Sequence, residues 1–141
     1  MEEKVLIKPE YKYSELTGKI IACCMEVHKA LGNGFQEVIH QRALEHEFRI
    51  QGIKFQREFE MQVYYKGKHI GTRRVDFLVA EVVSLEMKAL IKIEDVHLAQ
   101  AINYLEAYNL EVGLLINFGE RSLNFKRLNN KKFKPDQSPI I

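Results

Sequence analysis

Arg73-Arg74-Val75-Asp76-Phe77-Leu78-Val79-Ala80-Glu81-Val82-Val83-Ser84-Leu85-Glu86-Met87-Lys88 is the stretch on which the reading of the fold turns. Taken as a β-hairpin with the three-residue loop Ala80 to Val82, it sets Val79 against Val83, Phe77 against Leu85 and Val75 against Met87. Every pair on that face is apolar, as a surface turned to a core requires. The other face then carries Leu78 opposite Ser84, Asp76 opposite Glu86, and Arg74 opposite Lys88.

Two carboxylates facing each other across a strand pair repel, and each raises the other's pKa. A divalent cation between them reverses the sign of that interaction. Hard cations such as Mg²⁺ take oxygen ligands, often from only one or two carboxylates, and keep several waters. Lys88 lies two residues beyond Glu86, hence on the same side of the strand. An ammonium there can hold an attacking water or stabilise charge on a phosphate. The bland alternative is a surface hairpin whose Glu86–Lys88 contact is a weak exposed pair. Against it stands the setting, Val82-Val83-Ser84-Leu85-Glu86-Met87-Lys88-Ala89-Leu90, a run typical of a central strand. Charges inside such a strand need a reason.

Outward from this hairpin the pattern stays regular. Phe59, Met61, Val63 and Tyr65 alternate with Glu58, Glu60, Gln62 and Tyr64, which predicts a strand beginning near Phe55, and Lys66-Gly67-Lys68 is its turn. Upstream, Leu16, Ile20, Cys23 or Cys24, Val27 and Leu31 recur at helical spacing, with Ser14 as the expected cap. Gly32-Asn33-Gly34 breaks the chain, and a second helix is expected from Gln36 to Ile50 with Gly52 just past its end. Downstream, a helix is expected from Asp95 to Asn109, an apolar strand from Val112 to Asn117, and a last strand from Leu123 to Leu128. The element order is ααβββαββ, an α/β (α+β) domain around one mixed sheet flanked by helices.

The chain has 141 residues, 46% hydrophobic and 28% charged, which suits one globular domain. The expected division is an N-terminal extension over 1–13, the domain over 14–128 and a basic tail over 129–141. No secretory signal and no apolar run of transmembrane length is visible, so no membrane partner and a cytoplasmic location are expected. Cys23 and Cys24 are adjacent, a spacing poor for a disulfide and without a second pair for zinc. The net charge of +2 is not the footprint of a protein that coats nucleic acid. The charge is uneven, though: Arg121 to Pro135 holds six basic residues, among them Lys131, Lys132 and Lys134, and no acid. That run reads as a solvated tail or as a phosphate contact.

The residues resemble a known family. Asp76 followed by Glu86-Met87-Lys88 resembles the D…(D/E)-x-K signature of PD-(D/E)XK nucleases, with Val75 where a proline is usual. Gly34-Phe35-Gln36-Glu37-Val38-Ile39-His40, after Leu31-Gly32-Asn33-Gly34, resembles the motif that names the GxxExxY family, with His40 in place of its tyrosine. Val63-Tyr64-Tyr65-Lys66-Gly67 and Gly113-Leu114-Leu115-Ile116-Asn117-Phe118-Gly119 resemble two further segments of that family. Gln100 and Tyr104, one helical turn apart with His97 a turn earlier, resemble the Q-x-x-x-Y motif of RecB-type nuclease domains, which lies beside the active site and contacts DNA.

The resemblance implies a restriction-endonuclease-like core and a Mg²⁺- or Mn²⁺-dependent nuclease acting on nucleic acid, DNA first. Asp76, Glu86 and Glu37 are the implied metal ligands, with His40 as a further candidate, and Lys88 completes the catalytic set. Gln100, Tyr104, Arg74, Lys131 and Lys132 are the expected substrate contacts, with Lys66, Lys68 and Arg73 as added phosphate contacts. A homodimer would enlarge the small clamping surface. The rival expectation is a binding or assembly module that keeps the fold without turnover.

Overall fold

The computed structural model describes residues 12–137. Among the described residues three helices and five strands follow in the expected order: α1 Ser14–Leu31, α2 Glu37–Gln51, β1 Phe55–Tyr65, β2 Lys68–Val79, β3 Val83–Lys88, α3 Asp95–Tyr108, β4 Val112–Asn117 and β5 Asn124–Asn129. The sheet order is β1-β2-β3-β4-β5. All neighbours are antiparallel except β3 and β4, which run parallel and are joined by the α3 crossover. Among the described residues no helix is long and apolar enough to cross a membrane. Of the expected N-terminal extension, residues 1–11 lie outside the described part, as do residues 138–141 of the tail.

Each face of the sheet buries its own core. Phe77, Val79, Val83, Leu85, Met87 and the odd-face counterparts on β4 pack with Ile20, Cys24, Val27, Leu44 and Phe48 from α1 and α2. On the other face Leu78 and Leu115 pack with Ala101, Tyr104, Leu105 and Tyr108 from α3. With helices on both sides, β4 is buried at every position, which explains its unbroken apolar reading. Cys23 and Cys24 are free and buried, and burial pushes the Cys23 thiol up to about 11, so neither is a ready nucleophile.

Several local expectations are corrected. Tyr13, in a left-handed conformation, takes the N-cap position of α1; Ser14 is the first helical residue, and its carbonyl accepts from the Thr17 hydroxyl. The β2–β3 ladder contains Phe77–Leu85, Leu78–Ser84 and Val79–Val83 but stops there. Val75 does not face Met87: it joins the core under α3, whereas Met87 joins the core under α1 and α2. The parity changes beside Glu58, whose φ of 53° interrupts the alternation of β1 opposite Asp76. The described part of the expected tail, residues 130–137, is anchored. Asn109 donates to the carbonyls of Lys134 and Gln137, and Asn130 to those of Leu105 and Leu110, which fastens residues 130–137 to the end of α3.

Candidate active site

β3 and β4 end together at Lys88 and Asn117, and antiparallel β2 brings Asp76 to that same end. The chain is locked there by Asn117, which is fully buried. Its side-chain oxygen accepts the N–H groups of Leu90 and Gly119, and its amide donates to the Leu90 carbonyl and to Glu120 Oε2. Phe118 N–H donates to the Lys88 carbonyl at 2.8 Å. Gly119 is required by packing: a Cβ on it would stand 2.3 Å from the Leu90 oxygen and 2.5 Å from the Leu90 nitrogen. The Gly113-to-Gly119 segment is therefore the clasp that sets the β3 terminus.

Asp76 ends the ladder with its side chain. Its Oδ2 accepts the Met87 N–H at 2.6 Å, a place a strand carbonyl would otherwise fill, and its Oδ1 accepts from Gln41 Nε2 at 3.2 Å. The same amide nitrogen donates to Glu37 Oε2 at 3.1 Å. Gln41 thus ties the first turn of α2 to Asp76, and Arg57 in turn donates to Gln41 Oε1 at 3.2 Å. Glu37 stands at the start of α2, where the helix dipole favours a negative charge.

Glu86 is only 9% exposed, and its Oε1 is buried with no hydrogen-bond partner. The nearest cation is Arg73, whose Nη2 lies 3.6 Å away, beyond hydrogen-bond range. Burial, then the neighbouring Asp76 charge, push the Glu86 carboxyl up to about 7, against the lowering effect of Arg73 and Lys88. Asp76 is raised chiefly by burial, opposed by the Met87 hydrogen bond and Lys88. Glu37 is raised by burial and then by Asp76, and lowered by Lys88. The three carboxylates and the lysine therefore form one electrostatic cluster.

A divalent cation suits this cluster. An orphaned buried carboxylate oxygen, with a second carboxylate close enough to raise its pKa, is a site short of positive charge. Among the described residues no group of three or more His, Cys, Asp or Glu side chains forms a ready-made metal cage. The donor set is that of a cation held by one or two carboxylates and its own waters.

Other expected site residues lie elsewhere. His40 is fully buried, its Nε2 is 2.9 Å from the Gly32 carbonyl, and its ring stacks on Phe118 at 4.7 Å. Its Nε2 secures the Gly32 loop, and its Nδ1 is buried without a hydrogen-bond partner. Tyr104 presents no surface to a substrate: it is fully buried, its hydroxyl bonded to Met61 Sδ, and Arg73 rests over its ring at 5.4 Å. Gln100 is exposed on α3, and His97 Nδ1 accepts the Glu94 N–H in the helix cap. Arg74 is exposed and paired with Glu58 at 3.3 Å. Lys132 pairs with Glu106 at 3.8 Å, and Lys131 is exposed beside it. This places them by the start of β4, about 10 Å of strand below the level of Glu86 and outside the carboxylate cluster itself. A cleft of about 810 Å³ lined by Cys23, Glu47 and Lys54 touches Ala80, also at that far end.

Gln41 and Asn117 were not anticipated. Gln41 had a signal, since it lies one turn after Glu37 on the same helix face. Asn117 had none beyond its place in the glycine-bounded segment.

The profile of the PD-(D/E)XK nuclease superfamily matches residues 14–128. Among curated proteins no sequence match is found. A similar solved structure is the crystal structure of SSO0001, with a TM-score of 0.53 at 16% identity, covering 84% of this chain. The chain spans about 60% of that structure's length, and the likeness is one of fold alone. A mixed five-stranded sheet flanked by helices, ending in Asp76 and Glu86-Met87-Lys88 and matched over α1 to β5, makes the chain a member of the PD-(D/E)XK nuclease superfamily.

Proposed function

We propose that the protein is a Mg²⁺- or Mn²⁺-dependent nuclease of the GxxExxY branch that hydrolyses phosphodiester bonds in nucleic acid, with DNA as the first candidate. The observation that carries this reading is Glu86 Oε1, buried without a hydrogen-bond partner beside Asp76 and Lys88. Asp76 and Glu86 would hold the cation, together with the Met87 carbonyl, and Glu37 would complete the shell through one of the ion's waters. When bound, the ion supplies a water of lowered pKa and neutralises charge at the scissile phosphate.

The remaining work belongs to the chain. Gln41 orients the Asp76 and Glu37 carboxylates from one amide nitrogen. The Met87 N–H fixes the direction of the Asp76 lone pairs. Lys88 positions water and meets the charge that develops on the phosphate. Arg73, carried on the Tyr104 ring, balances Glu86 before a cation arrives and becomes a phosphate contact afterwards. Tyr104 thereby acts as a positioning residue. Gln100 and Arg74 supply outer contacts to the substrate, and a homodimer would supply a second clamp.

The test is cleavage of linear, circular and single-stranded DNA, and of RNA, with Mg²⁺ or Mn²⁺, comparing wild type with Asp76→Asn. Metal-dependent cleavage that the variant loses supports the reading; absence of cleavage on every substrate sinks it. The Arg73–Glu86 pair favours one rival, a non-catalytic module in which the arginine is the permanent counter-charge. Calorimetric titration with Mn²⁺ separates the two, because such a module has no cation site to fill.

A further inference from the structure

The β1–β2 hairpin outgrows the sheet it belongs to. β2 pairs with β3 only from Phe77 to Val79, yet continues with β1 back to Lys68. The unpaired length, from Asp76 to Lys68, is roughly 25 Å at about 3.3 Å per residue. Because β2 is antiparallel to β3, this arm leaves the sheet at the end where Glu86 and Lys88 stand. Its inner half is supported: Met61 and Val63 pack in the α3 core, and the Tyr108 hydroxyl donates to the Gln62 carbonyl. Among the described residues its outer end is open to solvent at Tyr64, Tyr65 and Ile70.

The tip is built, and its chemistry is consistent. Lys66 and Gly67 both have positive φ, 48° and 82°, the signature of a tight type I′ turn. A register shift beyond Val63 leaves Ile70 unpaired and re-aims the side chains of the last turn. Tyr64 is 59% exposed, Tyr65 60% and Ile70 60%. Tyr64 meets the His69 ring edge-on at 5.6 Å, and the Lys66 ammonium lies 5.4 Å from the Tyr65 ring. Between Met61 and Val75 stand four lysines and arginines and no acid.

We infer that this hairpin arm is a binding surface for single-stranded nucleic acid, with Tyr64 and Tyr65 stacking on unpaired bases and Lys66 and Lys68 meeting the phosphates. The inference rests on the nuclease reading above and names its substrate class: a strand unpaired next to the scissile phosphate. Exposed rings beside cations, with no acid between, complement a polyanion that offers open π-faces; duplex buries those faces in its own stack. An acidic protein partner would satisfy the lysines and leave the rings without a role, and a second copy of the arm would set like charges together.

The test is fluorescence anisotropy of labelled oligothymidine and of a blunt duplex of the same length, with the full chain in EDTA so that nothing is cleaved. Tighter binding of the single strand is expected. Tyr64→Ala with Tyr65→Ala should weaken it by about thirtyfold or more, two stacked rings being lost, with the salt slope unchanged. The matching Tyr→Phe pair should bind as wild type. Lys66→Ala with Lys68→Ala should lower the salt slope by about 1.4. Thermal melting checks that these exposed changes leave the fold intact. No single-strand binding, equal or tighter binding of duplex, or full affinity in the Tyr→Ala pair overturns the inference. So does a concentration-dependent dimer that the Tyr→Ala pair abolishes, which would assign the tip to a second copy. Binding without cleavage under any metal condition leaves the arm standing and removes the nuclease reading; cleavage with unaltered binding by the arm variants does the reverse.

Discussion

Asp76 Oδ2 accepts the backbone N–H of Met87 at 2.6 Å, so one side chain closes the β2–β3 ladder and fixes the strand end that carries Glu86 and Lys88. A carboxylate used in this way is held in place before any ligand arrives. Its partner Glu86 is different, with one oxygen buried and without a hydrogen bond. One carboxylate is satisfied and the other is not, and that asymmetry sets the response to metal, to pH and to substitution.

Mn²⁺ is expected to raise the melting temperature of the wild-type protein, because it binds the folded site and not the unfolded chain. At a hundredfold excess over the dissociation constant the linkage is about 2.7 kcal/mol. The Asp76→Asn, Glu86→Gln double variant should show no such shift, and in EDTA it should lose the mutual repulsion of the wild-type pair. Scanning fluorimetry in EDTA and in Mn²⁺ decides it; equal shifts in both proteins would refute the assigned ligands.

In the absence of metal, stability should fall as the pH rises from about 5 to about 7. Glu86 is held at about 7 in the folded state against an ordinary value of 4.5. The folded protein therefore binds the proton more tightly than the unfolded chain, and this stabilisation, present in acid, is lost as the pH rises through the folded value. Asp76 and Glu37 are shifted in the same direction. Glu86→Gln should flatten its share of the slope. Added Mn²⁺ should stabilise more at the alkaline end of the window, since it competes with the proton. Urea titrations in EDTA across that range measure it, and a wild-type slope identical to that of Glu86→Gln would contradict the assignment.

Gln41→Leu keeps the side-chain volume and removes the amide that Glu37 and Asp76 share. The helix should persist, because leucine is a good helix former. Metal affinity should drop by about 10- to 100-fold, the usual effect of losing a group that orients ligands. Calorimetric titration with Mn²⁺ reads this directly, and an unchanged dissociation constant would reduce Gln41 to a helix-packing residue.

Gly119→Ala should destabilise the protein by about 3 kcal/mol, the upper part of the range for overpacking. The new methyl would meet the Leu90 backbone, which cannot give as a flexible side chain would. Chemical denaturation would show a lower midpoint. A midpoint matching wild type would mean that the clasp between residues 88–90 and 117–120 is looser than its hydrogen bonds indicate.

Most of the fold was legible because it rests on periodicity. The three-residue loop gave the Val79–Val83 register directly, and β4 was bounded correctly at Val112 and Asn117. Legibility failed where a side chain replaces a backbone interaction. Extending the ladder to Val75–Met87 assumed that strands pair until they end, whereas the Asp76 carboxylate ends this pairing early. The cluster Glu37, Asp76, Glu86 and Lys88 was visible in motif spacing. The burial of His40 and Tyr104 was not, because helical spacing assigns a face without saying what covers it. The fastening of residues 130–137 escaped because it depends on Asn109 and Asn130, residues whose side chains bond wherever a carbonyl stands.

Lys88 carries the strictest prediction. It is half-buried at the end of β3, and its charge lowers the pKa of Glu37, Asp76 and Glu86 alike. In the proposed reaction it acts on water and phosphate and is no ligand of the cation. Lys88→Met keeps the length of the side chain and removes the charge. The fold should survive, since methionine suits a half-buried strand position. Metal affinity should hold or rise, because a nearby positive charge that repels the ion is gone. Cleavage should fall by about 10² to 10³, the cost of losing one preorganised group that meets developing charge. Substrate binding in Ca²⁺ or EDTA should change far less than turnover, since the group matters most in the transition state. Single-turnover cleavage, Mn²⁺ titration and a melting curve on the same variant separate these effects. A variant that cleaves as well as wild type makes Lys88 a structural charge and overturns its proposed role; one that unfolds shows that the lysine is needed to neutralise the three neighbouring carboxylates, as a non-catalytic module would require.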